Sequence, residues 1–333
     1  MIETSFDLNL QSFHKHYQAL FENLSNAVVG QESLISQALI GMLAGGHLLL
    51  EGVPGLGKTQ LAKSLAASVG IKLGRIQCVP DLMPADITGG EILVSRDGAQ
   101  ATLEFRPGPV FSSLLLVDEI NRATPKTQAA LLEAMQEGHV TFAGHSHALP
   151  HPFWMIATQN PIEFEGTYPL PEAQLDRFLF KLDVRYPDAS TLSRLLDVSL
   201  DQAPDEQLRA VASIESLKFM MSLTKEILIA PAVKQAAINL ILATHPEHAS
   251  AHPVAKSHFR YGSSPRGLQA LVRAARVHAL IDGRAHVAVS DLHAVALPAL
   301  RHRVLLTLRS EAQGLKPDVL LESVLTDWLR NHA

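Results

Sequence analysis

The chain has 333 residues, 47% of them apolar and 18% charged, and a formal net charge of −5 at pH 7. This composition describes one large or two medium folded domains, and it excludes a disordered chain and a generally basic partner of nucleic acid or acidic membranes. The single cysteine, Cys78, excludes an intrachain disulfide. The N-terminus, with Glu3 and Asp7, lacks the basic-then-apolar order of a secretory signal, and apolar runs such as 111–117 are too short to span a bilayer, so a cytoplasmic location is expected.

In chain order, residues 8–24 carry a helical pattern, Gly30-Gln31 breaks it, and 32–43 form a second helix with Leu34, Ile35, Ala38, Leu39 and Met42 on its apolar face. The apolar run Leu48-Leu49-Leu50 reads as a buried strand. It leads into Gly52-Val53-Pro54-Gly55-Leu56-Gly57-Lys58-Thr59, which fits G-x-x-x-x-G-K-[ST], and then into a helical pattern over 58–69. Strand, glycine-rich loop and helix is the context in which this motif holds phosphates. The glycines let backbone N–H groups turn inward, the helix start adds the positive end of its dipole, Lys58 reaches the β- and γ-phosphates and Thr59 holds Mg2+. Gln60 follows at the start of the same helix.

Further strands are predicted at 73–77, 114–117, 153–157 and 180–184, and helices at 126–137 and 172–176. This alternation predicts a parallel sheet with helices on both faces. Two segments interrupt it. Residues 89–105 carry strand patterns around Arg96-Asp97-Gly98, and 139–142 with the stretch after Gly144 is again hairpin-like; both are expected to project from the sheet. Beyond Tyr186-Pro187-Asp188 the patterns are helical, at 191–200, 214–228, 232–244, 267–281, 290–303 and 317–330, with Ser290-Asp291 as an N-cap pair. The expected organisation is an α/β nucleotide-binding domain over 1–187 and an all-α domain over 188–333.

Leu114-Leu115-Leu116-Val117-Asp118-Glu119 is an apolar strand ending in two carboxylates. Ligands of a parallel sheet sit at the carboxyl ends of its strands, which puts Asp118 near Thr59 as a metal ligand and Glu119 where it can activate water. The alternative is a solvated acidic turn. Ile156-Ala157-Thr158-Gln159-Asn160-Pro161 repeats the logic with an amide, Asn160, that reaches the γ-phosphate or the attacking water, or else serves as an ordinary turn residue before proline.

Together these motifs resemble the AAA+ ATPases, and within them the MoxR group, over nearly the whole chain. Val28-Val29-Gly30-Gln31 is similar to the family's adenine-side segment, with Val29 and Gly30 at the base. Asp118-Glu119 matches its Walker B motif and is followed by Asn121-Arg122. Asn160 matches sensor 1, the Arg177 of Leu170-Pro171-Glu172-Ala173-Gln174-Leu175-Asp176-Arg177-Phe178 matches the arginine finger, and Arg266 in Gly262-Ser263-Ser264-Pro265-Arg266-Gly267 matches sensor 2. The resemblance implies a P-loop core with two β-hairpin insertions and a helical lid. It also implies ATP and Mg2+ as ligands, a ring that is usually hexameric, and Arg177 reaching into the next subunit's site. A planar guanidinium suits charge developing on a transferring phosphoryl group. The residues alone leave an ion pair of Arg177 with Asp176 or Glu172, and a surface role for Arg266, open; whether Arg266 acts in cis or in trans is open as well.

Sixteen histidines are more than usual. His145 and His147 would share a strand face with His151 nearby, a plausible metal pair but without a carboxylate or thiolate at ligand spacing, so a polar hairpin loop is expected. His245, His248, His252 and His258 are expected in a solvated connection. Arg301-His302-Arg303 reads either as a contact to nucleotide or neighbour or as a solvated helix end, and Cys78 as a small strand residue. The function expected is ATP hydrolysis coupled to remodelling, assembly, activation or metal loading of a protein client. The resemblance implies a von Willebrand factor A domain adaptor. One competing reading is a nucleic-acid motor or clamp loader, which the acidic charge and the lack of a basic stripe disfavour; the other is a transcription-activator ATPase, disfavoured by the insert clade and the lack of a helix-turn-helix appendage.

Overall fold

The computed structural model describes residues 5–94, 102–162, 166–201 and 208–332. Its first half contains α1 (Ser5–Ala27), α2 (Glu32–Leu43), β1 (Leu48–Glu51), α3 (Lys58–Val69), β2 (Leu73–Gln77), α4 (Pro84–Thr88), β3 (Gly89–Val94), β4 (Thr102–Pro107), β5 (Leu114–Asp118), α5 (Pro125–Glu137), β6 (His139–Phe142), β7 (His145–Ala148), β8 (Trp154–Gln159), α6 (Glu172–Leu175) and β9 (Phe180–Asp183). The rest contains α7 (Ala189–Asp201), α8 (Ile214–Glu226), α9 (Pro231–Ala243), α10 (Pro253–His258), β10 (Phe259–Tyr261), α11 (Pro265–Ile281), α12 (Val289–Leu300), β11 (Leu305–Leu306), α13 (Leu308–Ala312) and α14 (Pro317–His332).

The main sheet has five strands in the order β2-β5-β8-β1-β9, all parallel. Its central strands are continuous apolar runs because both faces are covered. Alternate residues serve two cores. Leu48, Leu50, Leu114, Leu116, Trp154 and Ile156 point to one, and Leu49, Leu115, Val117, Met155 and Ala157 to the other, under α5. The first core does not stop at the sheet. It continues through α2 and α11 to Leu271, Leu300, Leu321 and Trp328 of the helical half. Helix ends follow their sequence signals. Pro125 opens α5, and left-handed Gly138 and Gly70 close α5 and α3.

Both expected hairpins form. β3 and β4 pair antiparallel, with Glu91 opposite Phe105; the turn expected at Arg96-Asp97-Gly98 lies outside the described residues. β6 and β7 are closed by Ala143-Gly144, both at positive φ, the geometry of a two-residue hairpin turn. The two hairpins meet through aromatic rings. His147 stacks on Phe105 with centroids 4.0 Å apart, and Phe142 and Phe111 pack on the same ring at 5.6 and 5.7 Å.

Four expectations change in detail. The helical half also holds a short antiparallel ribbon, β10–β11, whose three- and two-residue strands are too short to show alternation. The histidine-rich connection contains helix α10, whose start His252 caps by accepting from Val254 N. Helix α12 begins one residue before Ser290. Asp291, fully buried in its first turn, accepts from Ala288 N and takes a two-pronged bond from Arg284. The histidines separate. His245 bonds the Ser263 carbonyl, His252 pairs with Asp327, and His258 meets Ser310. Among the described residues the one cluster of metal-ligand type is His278, Asp282 and Asp291, and Arg284 and His278 already occupy its buried carboxylate. Among the described residues no helix is long and apolar enough to cross a membrane.

Candidate active site

The glycine-rich loop leaves the carboxyl end of β1 and enters α3 at Lys58, with Gly55 and Gly57 at φ 83° and 80°. Gly52 is required by close approach, since a Cβ there would stand 2.6 Å from the Val184 carbonyl oxygen. The Lys58 ammonium donates to the carbonyls of Gly52 and Gln159 under the loop. Pro54, Gly55, Gly57, Lys58, Thr59 and Gln60 line one side of a cavity of about 390 Å3, and Asp118, Glu119 and Asn160 line another. Leu56 is buried beneath the loop, and its carbonyl accepts from Gln31 Nε2 at 2.9 Å, which ties the segment of Val29 and Gly30 to the loop.

Parallel register delivers the acidic residues. β8 alone separates β5 from β1 and all three are parallel, so their carboxyl ends open on the same edge of the sheet. Asp118 is buried, and its Oδ1 accepts from Thr59 Oγ1 and Thr158 Oγ1, each at 3.3 Å. Arg75 Nε donates to its Oδ2 at 3.0 Å. Arg75 lines the cavity and was not singled out in the sequence, because one basic residue at alternate register in a strand resembles an outward-facing surface position. Glu119 adopts a left-handed backbone, φ 55°, unusual for a non-glycine residue and held by its N–H donating to Thr158 Oγ1 at 2.9 Å. This turn carries the Glu119 carboxylate out of the strand and over the cavity, where Arg122 pairs with it at 3.0 Å. Asn160 is buried and lines the cavity, and its Oδ1 also accepts from Ile162 N at 3.2 Å. The turn role and the cavity position therefore coexist in one side chain.

Cys78 continues the ladder beyond β2 by donating to the Asp118 carbonyl at 2.9 Å. Burial, with the Asp118 and Glu119 carboxylates nearby, pushes its thiol up to about 12, so it stays a protonated packing residue.

Three expected residues, Arg177, Arg266 and Gly30, line other cavities. Arg177 and Arg266 line a separate cavity of about 230 Å3 together with Arg273 and Arg303, and this cavity shares no lining residue with the phosphate-loop cavity. Arg177 does not pair with Asp176 or Glu172; its Nη1 donates to the Leu132 carbonyl at 3.2 Å. Asp176 instead faces Arg303 at 2.9 Å and Arg266 at 3.7 Å, and Glu172 faces Arg260. Gly30 and Gln31 line a third, larger cavity of about 720 Å3 toward α12 and α14. Size alone would select that cavity, but the charged and phosphate-binding groups converge on the smaller one.

The reading of Arg301-His302-Arg303 as a solvated helix end is corrected. Arg303 and His302 are buried, and Arg301 pairs with Asp318 at 3.0 Å. His302 Nε2 bonds the Phe178 carbonyl at 3.0 Å, and burial, with Arg303 beside it, keeps the imidazole well below its ordinary range and hence neutral. Arg303 and His302 can lie inside the fold because the Asp176 carboxylate and the carbonyls of Asp176, Phe178 and Leu179 accept from them.

A five-stranded parallel sheet with this loop and carboxylate pair, followed by a helical lid, defines an AAA-type ATPase. Residues 47–180 match the ATPase family associated with various cellular activities, and residues 253–323 match the AAA lid domain. The chain is 40% identical to Chaperone MoxR1 of Mycobacterium tuberculosis over 94% of this chain and 81% of that one. It is 39% identical to YeaC of Bacillus subtilis over 92% of each, and 30% identical to Protein MoxR of Paracoccus denitrificans over 90% and 92%. A solved structure assigned as an ATPase, from Cytophaga hutchinsonii, superposes with a TM-score of 0.87 at 35% identity, covering 96% of both chains. The chain belongs to the MoxR family of AAA+ ATPases.

Proposed function

We propose that this protein hydrolyses ATP at the phosphate-loop cavity and uses the reaction to remodel a protein client. The observation that carries the reading is the convergence of Lys58, Thr59, Asp118, Glu119 and Asn160 on one cavity at the carboxyl ends of β1, β5 and β8. Inward-turned N–H groups around Gly55 and Gly57 and the start of α3 receive the phosphates, and Val29 and Gly30 flank the base. The Thr59 hydroxyl and the Asp118 carboxylate form an oxygen donor set, 3.3 Å apart, that fits a hard divalent cation. Mg2+ held there would supply positive charge to the phosphates. Lys58 adds a second cation, Glu119 takes the proton of the attacking water, and Asn160 orients that water or the γ-phosphate.

Arg177 and Arg266 act on the neighbouring subunit's nucleotide in a ring, taken as hexameric. Their place in a cavity separate from their own chain's phosphate loop supports the trans assignment for both. The α/β body over 1–187 and the lid over 188–333 are the parts that move as the γ-phosphate is lost, and the hairpins carry that motion to the client. The naming of a relative as a chaperone supports a protein client; we propose that this client is reached through a von Willebrand factor A domain adaptor in the cytoplasm. Assembly, activation and metal loading of that client are the outcomes in view.

Glu119→Gln is the direct test. It should retain binding of a fluorescent ATP analogue while phosphate release falls by about two to four orders of magnitude, the range for loss of a general base. Turnover at the parental rate would remove Glu119 from this role and the cavity from its function.

A further inference from the structure

The segment that carries Arg177 is held by the lid of its own subunit through a dense set of bonds. Arg303, in the turn after α12 and 2% exposed at its side chain, donates from Nε to Asp176 Oδ1 at 2.9 Å. Its Nη2 donates to the carbonyls of Asp176 at 2.9 Å and Phe178 at 2.6 Å, and its Nη1 to that of Leu179 at 3.1 Å. His302 reaches the same Phe178 carbonyl. From the start of α11, the Ser264 hydroxyl donates to Asp176 Oδ1 at 2.7 Å, and Arg266 faces Oδ2 at 3.7 Å. The Asp176 carboxylate and the carbonyls of Asp176, Phe178 and Leu179 thus accept from residues at the start of α11 or in the turn after α12. Among the described residues, the Arg177 side chain bonds to the α/β body at the Leu132 carbonyl.

Arginine makes this possible because its planar fork fills several carbonyl and carboxylate acceptors at once. Removal of one member of such a buried charged set leaves the others unsatisfied, so the set holds together or fails together. Lid and finger segment are therefore coupled, while Leu179 N–H, which donates to the His47 carbonyl at 2.8 Å, and buried Phe178 keep the segment on the sheet.

We infer that Asp176 and Arg303 are positioning residues that lock Arg177 to its own lid, so that the lid's position in one subunit sets the reach of Arg177 into the next subunit's nucleotide site. This inference rests on the trans assignment of Arg177 proposed above. The chemical consequence is directional. Nucleotide turnover that moves one lid changes catalysis in the neighbour and leaves that lid's own phosphate loop intact.

The test uses the full-length protein carrying Asp176→Asn, which preserves shape and removes the charge that Arg303 and Arg266 face. Phosphate release should fall by about ten- to a hundredfold, the scale for a misplaced catalytic group, while the Kd for a fluorescent ATP analogue stays unchanged. Mixing with Glu119→Gln subunits should restore turnover, because an intact Asp176→Asn phosphate site then meets an intact Arg177. A purely structural defect would give no such recovery. Arg177→Ala mixed with Glu119→Gln is the reference. If that pair recovers and the Asp176→Asn pair does not, the lock is overturned and the trans assignment stands. If neither recovers, the trans assignment fails and the lock fails with it. Parental turnover in Asp176→Asn alone also overturns the lock. Should Asp176→Asn fail to fold, Arg303→Lys, which keeps the charge and loses the fork, is judged by the same outcomes.

Discussion

Asp118 and Arg75 show how one side chain can serve two cations. The carboxylate accepts two hydroxyls on one oxygen and the Arg75 guanidinium on the other, so Arg75 stands where a bound divalent ion would also draw on the same charge. Arg75 is half-exposed, and an ion pair of that kind is worth at most about 1 kcal/mol. Arg75→Gln should therefore lower the Mg2+ concentration needed for half-maximal binding of a fluorescent ATP analogue by about two- to fivefold, the factor that energy permits. A Mg2+ titration that gives the same midpoint, or a higher one, would show that Arg75 aids the metal site and does not compete with it. Glu119 illustrates a different limit. Its residue type pointed to chemistry, but the left-handed turn that lifts it over the cavity depends on Thr158 of a neighbouring strand.

At the level of elements, the turn after α12 joins lid to sheet through buried groups, and one of them titrates. His302 is neutral in the folded protein, with Arg303, Arg301 and Lys181 all opposing its protonation. Unfolded, it returns to its ordinary value near 6.5. The unfolded chain then takes up a proton that the folded one refuses, so this contribution to stability is complete above about pH 6.5 and is lost as pH falls. Thermal melts at pH 7.5 and 5.5 should show a larger drop in Tm for the parent than for His302→Gln, whose amide still donates to the Phe178 carbonyl. Parallel drops would mean that His302 is protonated in the fold. The paired hairpins are likewise joined by a group invisible in their separate strand patterns, the ring contact between Phe105 and His147.

Over the whole molecule, a single apolar core runs from the sheet into the lid, so the two halves stabilise one another. The two tryptophans report on opposite ends of it. Trp154 lies on β8 with its indole bonded to the Met42 carbonyl, and Trp328 lies on α14 bonded to that of Ala236, both at 3.0 Å. Single-tryptophan variants, Trp154→Phe and Trp328→Phe, should unfold in urea with coincident changes in fluorescence and circular dichroism. A lid signal that melts ahead of the sheet signal would show two independent units.

The phosphate loop, the acidic strand end, both hairpins and the order of sheet and lid were legible in the chain because each is written locally. Period-two and period-3.6 patterns, glycines at obligatory turns and a motif eight residues long need no distant partner to be recognised. The family resemblance rested on the same local words. Only the tertiary structure decided which charges meet. It brought Arg75 to Asp118 across two strands, took Arg177 away from its sequence neighbours Asp176 and Glu172, and buried Arg303 against a carboxylate 127 residues distant. The physical reason is that an ion pair depends on separation in space and on what else satisfies each group. Neither quantity has a period or a spacing that a sequence can display.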